Sequence, residues 1–432
     1  MNRIVKFFES RFSIIILVVV MRFLLDYTYI RVVSPVYYYL GLTVSVTFRR
    51  EILSWIVLVV MIILINSLID IDTQNNKGAI VLAILLCCSG IPTTTIIACF
   101  EVNNSFLILI SIYWIFTVFL YKRRRRFKIK LKKSRIIGSE ILLFAIFLVL
   151  ALSVILVVVR YTGIFMIFDL AEVYTLRTNF KSDNIPRLLQ YLFFAATMIM
   201  PVILVYSLSK KSYAMAIFAV LIQLLAFFAD GRKSTLFMLA LIIVGYFFIH
   251  NFNVRFIPIG AFSVVILGCL EKWVFSTSFF INYIVRRLFL LPAYLQYAYY
   301  DFFSKNTKDF LRQSILRRVG FNSPYTEAIP RMIGKGYYGG SYANNGLFSD
   351  AYANFGIVGV ILYPILLVMA LKMLDKCSKN LSVGICIGVI FTVSYSFLST
   401  FYFTVMLTHG FIICCIVVYL MPGFRRGEIR PK

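Results

Sequence analysis

Runs of roughly twenty apolar residues recur from one end of this 432-residue chain to the other, and they decide which solvent it folds in. A helix of about 20 residues crosses about 30 Å of hydrocarbon at a rise of about 1.5 Å per residue. Inside a bilayer each backbone N–H and C=O must find its partner within the protein, so such runs span as helices and not as open strands. Composition agrees: 61% hydrophobic residues, 14% charged residues and a mean hydropathy of +0.89 exclude a soluble globular domain, where about a quarter of residues are charged. The expected fold is an all-α polytopic integral membrane protein, one integral domain over 1–432.

The pattern gives twelve expected spans: 12–30, 51–70, 78–99, 104–121, 136–159, 188–207, 212–229, 234–249, 255–271, 353–374, 381–399 and 402–421. The basic N-terminus precedes an apolar run that contains Arg22 and Asp26 and has no small-residue cleavage site, which reads as an uncleaved first span. The polybasic loop 122–135 is hard to translocate and is expected on the cytoplasmic side, together with both termini. Its bland role is a topology anchor, and it could also hold anionic lipid headgroups.

One apolar piece, 32–48, carries Pro35 and the triple Tyr37, Tyr38, Tyr39, flanked by Arg31, Arg49 and Arg50. A span there would put five before the polybasic loop and send that loop outside. Parity therefore predicts an outer re-entrant or interfacial segment. The same parity places three polar pieces outside: loop 160–187, the turn 230–233 and the large loop 272–352 between the ninth and tenth spans.

That large loop has 81 residues with ten Lys or Arg against four Asp or Glu. In all, 19 Lys or Arg fall outside and 24 inside, with Arg22 within a span, which is a poor charge bias for topology alone. Outer Arg160, Arg177, Arg187, Arg232, Arg286 and Arg287 therefore call for an anionic partner, and phosphate matches a guanidinium bidentately. Arg232 sits in a tight turn, Asp230-Gly231-Arg232-Lys233, at the depth of a lipid diphosphate. Arg286 and Arg287 belong to a Tyr-rich apolar piece expected to lie in or dip into the outer interface. Its Tyr283, Tyr294, Tyr297, Tyr299 and Tyr300 could stack on sugars or form an aromatic belt.

The later part of the loop is rich in Gly, Asn and Tyr, with Tyr338 a further glycan contact and Glu327 and Asp350 its acids. Either acid could serve as a base for a sugar hydroxyl, and Asp350 could instead cap the helix that follows. Arg22 and Asp26, four apart in the first span, form either a structural ion pair or part of a ligand lining. Other span interiors are almost free of charge, which counts against an ion-coupled transporter. His250 and His409 lie outside the outer loops and read as packing or interfacial residues. The eight cysteines avoid the large loop, so neither a disulfide framework nor a Cys metal site is expected. No Gly-rich phosphate loop, Ser-His-Asp order or metal-ligand cluster occurs.

The twelve spans, the large outer loop, Gly231-Arg232 and the stretch FSDAYANFGIVGVILYPILL together resemble the O-antigen polymerase (Wzy-type) repeat-unit polymerases. The resemblance implies a GT-C-like layout and a metal-independent, inverting membrane glycosyltransferase without cofactors. Its donor and acceptor would both be undecaprenyl diphosphate-linked oligosaccharides in the bacterial inner membrane, with a chain-length regulator protein as partner and no nucleic acid. Implied site residues are Arg232, Arg286, Glu327 and Asp350 for catalysis, with Arg287, Arg160, Arg177, Tyr297, Tyr300 and Tyr338 for lipid diphosphate and glycan. The alternatives are an O-antigen ligase, which is thought to use a histidine in the large loop where this chain has none, and a lipid-linked oligosaccharide flippase or other transporter.

Overall fold

The computed structural model describes residues 10–123, 139–163, 184–248 and 253–422. The apolar runs are helices, in order α1 (Arg11–Leu40), α2 (Phe48–Leu68), α3 (Lys77–Cys99), α4 (Asn104–Lys122), α5 (Glu140–Thr162), α6 (Arg187–Ser209), α7 (Tyr213–Asp230), α8 (Lys233–Phe248) and α9 (Phe256–Phe275). Then follow α10, which joins Ile281–Leu290 to Leu291–Lys305, α11 (Ile329–Tyr337), α12 (Phe348–Cys377), α13 (Ile387–Ser399) and α14 (Tyr402–Leu420). No strand occurs among the described residues. Ten of these helices are long and apolar enough to cross a membrane, and α8 and α13 are the shorter apolar helices at the eighth and eleventh expected spans.

Prolines set the local winding of three helices. Pro35, Pro92 and Pro292 each follow a π-helical stretch: Tyr29–Val33, Leu86–Gly90 and Ile281–Leu290. A proline brings no N–H and its ring presses on the carbonyl four residues back. A wider turn just ahead of it relieves that pressure without ending the helix.

This corrects the reading of 32–48. α1 does not stop near residue 30; it runs through its π-turn and past Pro35 to Leu40, and only 41–47 is non-helical. Ser45 N donates to the carbonyl of Cys99 (2.8 Å) and the Tyr29 hydroxyl to that of Thr43 (2.8 Å), which pins this short link against α1 and α3. The segment is thus a helix extension and a link, not a separate re-entrant element.

α3 is the central helix, with 94% of its apolar window buried inside the protein. Its small and hydroxylated residues Cys87, Cys88, Ser89, Thr93, Thr94 and Thr95 let neighbours approach closely. Arg22 of α1 is fully buried against it: Nε donates to Thr94 Oγ1 (2.8 Å), Nη2 to the Thr94 carbonyl (2.9 Å), and Nη1 pairs with Asp26. The expected structural pair at these two positions is present. At the far end of α3, Lys77 Nζ donates to the carbonyls of Ser378 (2.9 Å) and Leu381 (2.8 Å), tying α3 to the turn after α12.

The large loop differs most from expectation. α10 is a helix, as its composition suggested, but it is packed into the bundle rather than laid over it. Val285, Arg286, Phe289, Ala293, Tyr294, Gln296, Tyr299 and Phe303 are all buried, and the Gln296 side chain donates to Ser89 at the π-turn of α3. Its start is capped from α9, where the Glu271 carboxylate accepts from the N–H groups of Phe279 (2.9 Å) and Phe280 (2.7 Å). α12 begins earlier than its expected span and bends at Gly356, whose φ of 55° and ψ of −131° suit only a residue without a side chain.

Candidate functional site

The turn from α7 to α8 is built by its own sequence. Gly231 ends α7 in the left-handed region (φ 63°), and the Asp230 carboxylate, 2% exposed as a residue, folds over the turn. Asp230 Oδ1 accepts from the Arg232 N–H (2.9 Å), and Oδ2 lies 3.2 Å from Arg232 Nε. The guanidinium is stacked 4.4 Å above the ring centre of Phe194 on α6. Asp230 and Phe194 thereby fix the plane of Arg232 through its Nε edge, and the two Nη groups have no hydrogen-bond partner among the described residues. Lys233 lies 5.8 Å from the ring centre of Tyr283, so this turn adjoins the first turns of α10.

α10 carries the second arginine. Arg286 is 4% exposed; Nη1 donates to the Tyr338 hydroxyl (3.0 Å), Nε to the carbonyl of Asn282 (3.2 Å), and the guanidinium stacks 4.0 Å from the ring centre of Tyr37. No carboxylate pairs with it among the described residues. Taking a cation out of water costs several kcal/mol, and one hydroxyl with one aromatic face offsets only part of that. The cage around it is rigid: the Tyr294 hydroxyl donates to the Tyr337 carbonyl (2.8 Å), and the Tyr337 hydroxyl donates to Asp301 (2.6 Å).

The remaining predicted residues separate into two groups. Arg287 is exposed on the same face as Tyr283, pointing away from the Arg286 cage, and Arg160 is exposed on the last turn of α5, which packs against α7. Neither has an ion-pair partner among the described residues. Tyr338 meets Arg286 as described. Tyr300 is buried and Tyr297 half-buried, packed among Phe100, Phe106 and Tyr352, with Phe106 5.4 Å from each ring. Arg177, His250 and nearly all of loop 122–135 lie outside the described residues.

The two proposed bases are both engaged. Asp350 is 1% exposed; Oδ2 accepts from the Tyr402 N–H at the start of α14 (2.5 Å), and Oδ1 from Asn354 Nδ2 (2.7 Å) and the Tyr363 hydroxyl (3.1 Å). It sits in the first turn of α12 and at the first N–H of α14, so two helix N-termini hold its charge. The carboxylate therefore caps α14 and not α12, the helix it was expected to cap, whose start has no side-chain cap. Glu327 is bonded to Lys335 (2.6 Å) and lies 3.8 Å from Arg331. Its hydrogen bond to Lys335 holds the carboxyl below the usual range, which suits a salt bridge and not a proton acceptor.

Sequence reasoning named Tyr37, Asp230 and His409 without giving them a part in the site, and passed over Phe194. Asp230 was legible in principle, two residues before Arg232 in a Gly turn. His409 carried a fainter signal, a His-Gly pair inside an apolar run. Nothing in the spacing ties Tyr37 to Arg286, 249 positions later. No family model, curated protein or solved structure matches the chain.

Proposed function

We propose that this protein polymerises undecaprenyl diphosphate-linked oligosaccharide repeat units, transferring the growing glycan from its lipid carrier onto the terminal sugar of a new lipid-linked unit. The observation that carries the reading is Arg286, buried without a carboxylate and held by Tyr37 and Tyr338, on a helix whose first turns adjoin the Arg232 turn. In this reading α1 to α9 and α12 to α14 are the twelve spans of a multi-pass protein of the bacterial inner membrane. Both termini are cytoplasmic, and the arginine site opens on the extracytoplasmic face.

The chemistry is an inverting displacement. The acceptor hydroxyl bonds to the anomeric carbon, the bond from that carbon to the diphosphate oxygen breaks, and the electron pair leaves with the diphosphate. Fixed cations aimed at that developing charge in a water-poor site lower the barrier most, and each such donor is worth roughly 10²–10³ in rate. Arg286 is fixed by its cage and Arg232 by Asp230 and Phe194, so neither has to reorganise as the bond breaks. Exposed Arg287 and Arg160 serve capture of the lipid-linked substrate.

The test is removal of the gene followed by gel analysis of surface polysaccharide. The reading requires loss of the long ladder with single-unit glycan retained. Loss of the single-unit species as well would replace it with a ligase or flippase.

A further inference from the structure

α14 is not a continuous helix. It runs from Tyr402 to Met406, breaks at Leu407–Gly410, and resumes at Phe411–Leu420. Gly410 has a φ of 79°, and a Cβ placed on it would lie 2.6 Å from the Cβ of Ala195, so the break is pressed directly onto α6. Non-helical backbone in a spanning segment is costly in lipid and is found where it faces protein or a cavity, commonly at a substrate site.

His409 is in that break. Its backbone N–H reaches the carbonyl of Thr404 (2.8 Å), while neither ring nitrogen has a hydrogen-bond partner among the described residues. The ring is partly exposed and lies 6.3 Å from Phe194, the same ring that carries the Arg232 guanidinium at 4.4 Å. One aromatic side chain therefore neighbours both a preorganised cation and an unpartnered imidazole. The carboxylates foreseen as bases are both occupied, Asp350 by the first N–H of α14 with Asn354 and Tyr363, and Glu327 by Lys335.

We propose that His409 is the general base of the transfer, an assignment that rests on the polymerase reading above. With the diphosphate on Arg232, the anomeric carbon lies beside that guanidinium and the acceptor hydroxyl approaches from the side of His409. The hydroxyl proton passes to a ring nitrogen as the new carbon–oxygen bond forms, and the departing electron pair is taken by the diphosphate held at Arg232. The break in α14 supplies what a continuous helix would not, room for an imidazole beside the reacting groups.

The experiment uses the full-length protein in lipid nanodiscs with lipid-linked repeat units extracted from cells lacking the gene. Wild type is measured beside His409→Gln, which keeps side-chain bulk and hydrogen-bonding capacity. The expected result is a turnover lower by roughly 10²–10⁴, with protein yield, thermal unfolding and binding of undecaprenyl diphosphate unchanged. A His409→Gly variant, in which added imidazole restores part of the lost turnover, would separate a base from a packing residue. Turnover of His409→Gln within threefold of wild type overturns the proposal, as does loss of binding and stability along with turnover. If wild type itself forms no polymer from these units, the polymerase reading fails and not this assignment alone.

Discussion

Arg286→Met separates a functional arginine from a structural one by the sign of its effect on stability. The substitution removes charged hydrogen bonds to Tyr338 and to the Asn282 carbonyl, worth about 1.5–3 kcal/mol each, and a stacking contact with Tyr37, worth about 0.5–2 kcal/mol. Against this, it removes the desolvation cost of a cation that is 4% exposed and has no carboxylate, a cost of several kcal/mol. The terms nearly cancel, so the variant should unfold within about 1 kcal/mol of the parent or be more stable. Arg22→Met is the internal comparison. It strands Asp26 beside a buried network and should cost about 3–5 kcal/mol. Denaturant unfolding of both variants in one detergent, with polymer length read on gels, gives both numbers. The argument requires Arg286→Met to fold like wild type and lose polymer by roughly 10² or more. A variant as unstable as Arg22→Met that still makes full-length polymer would refute it and make the guanidinium a scaffold.

Tyr338→Phe deletes only the hydroxyl that accepts from Arg286, and turnover should fall about tenfold, equivalent to about 1.4 kcal/mol, with yield unchanged. Asp350→Ala leaves the Tyr402 N–H and the Tyr363 hydroxyl without their acceptor and should cost about 1–3 kcal/mol in unfolding, whereas Asp350→Asn should keep most of that stability and near-normal turnover. Glu327 has a folded value held below its unfolded one, so its contact with Lys335 contributes above about pH 4.3 and is lost as pH falls through the lowered value. Hydrogen-exchange protection of Ile329–Tyr337 should accordingly drop only in acid, and Glu327→Gln should leave polymer yield unchanged between about pH 5 and 8. A tenfold loss in that variant would restore Glu327 as a base.

Much of the fold is legible in the sequence because hydropathy reports one strong constraint, the need of each span to satisfy its own backbone. Ten of the twelve apolar runs coincide with helices long enough to cross a membrane and the other two with shorter apolar helices, and the Arg22–Asp26 pair follows from their spacing. α10 was legible as a helix but not in its placement. Its mixture of Tyr, Phe and Arg suits an interface, and only the third dimension shows that the face bearing Gln296, Tyr299 and Phe303 has a mate on α3 and α12. The same limit applies to the site. Which arginine lies in a cage and which is exposed depends on the winding of Ile281–Leu290, and two adjacent Arg residues give no clue to it. Tyr297 and Tyr300 show the converse limit, since an aromatic cluster and an aromatic platform have the same composition.

The π-helical stretch ahead of Pro292 also governs how this chain can change over time. Ten residues wound with about five per hydrogen-bonded turn hold about two more than the same length of α-helix, close to 200° of rotation at about 100° per residue. A lineage that replaced Pro292 and let this stretch rewind would swing either Arg286 out of its cage or Gln296 off α3. Loss of the proline would therefore have to be accompanied by a deletion of about two residues between 281 and 290. Alignments of future relatives should show their gaps there in step with residue 292.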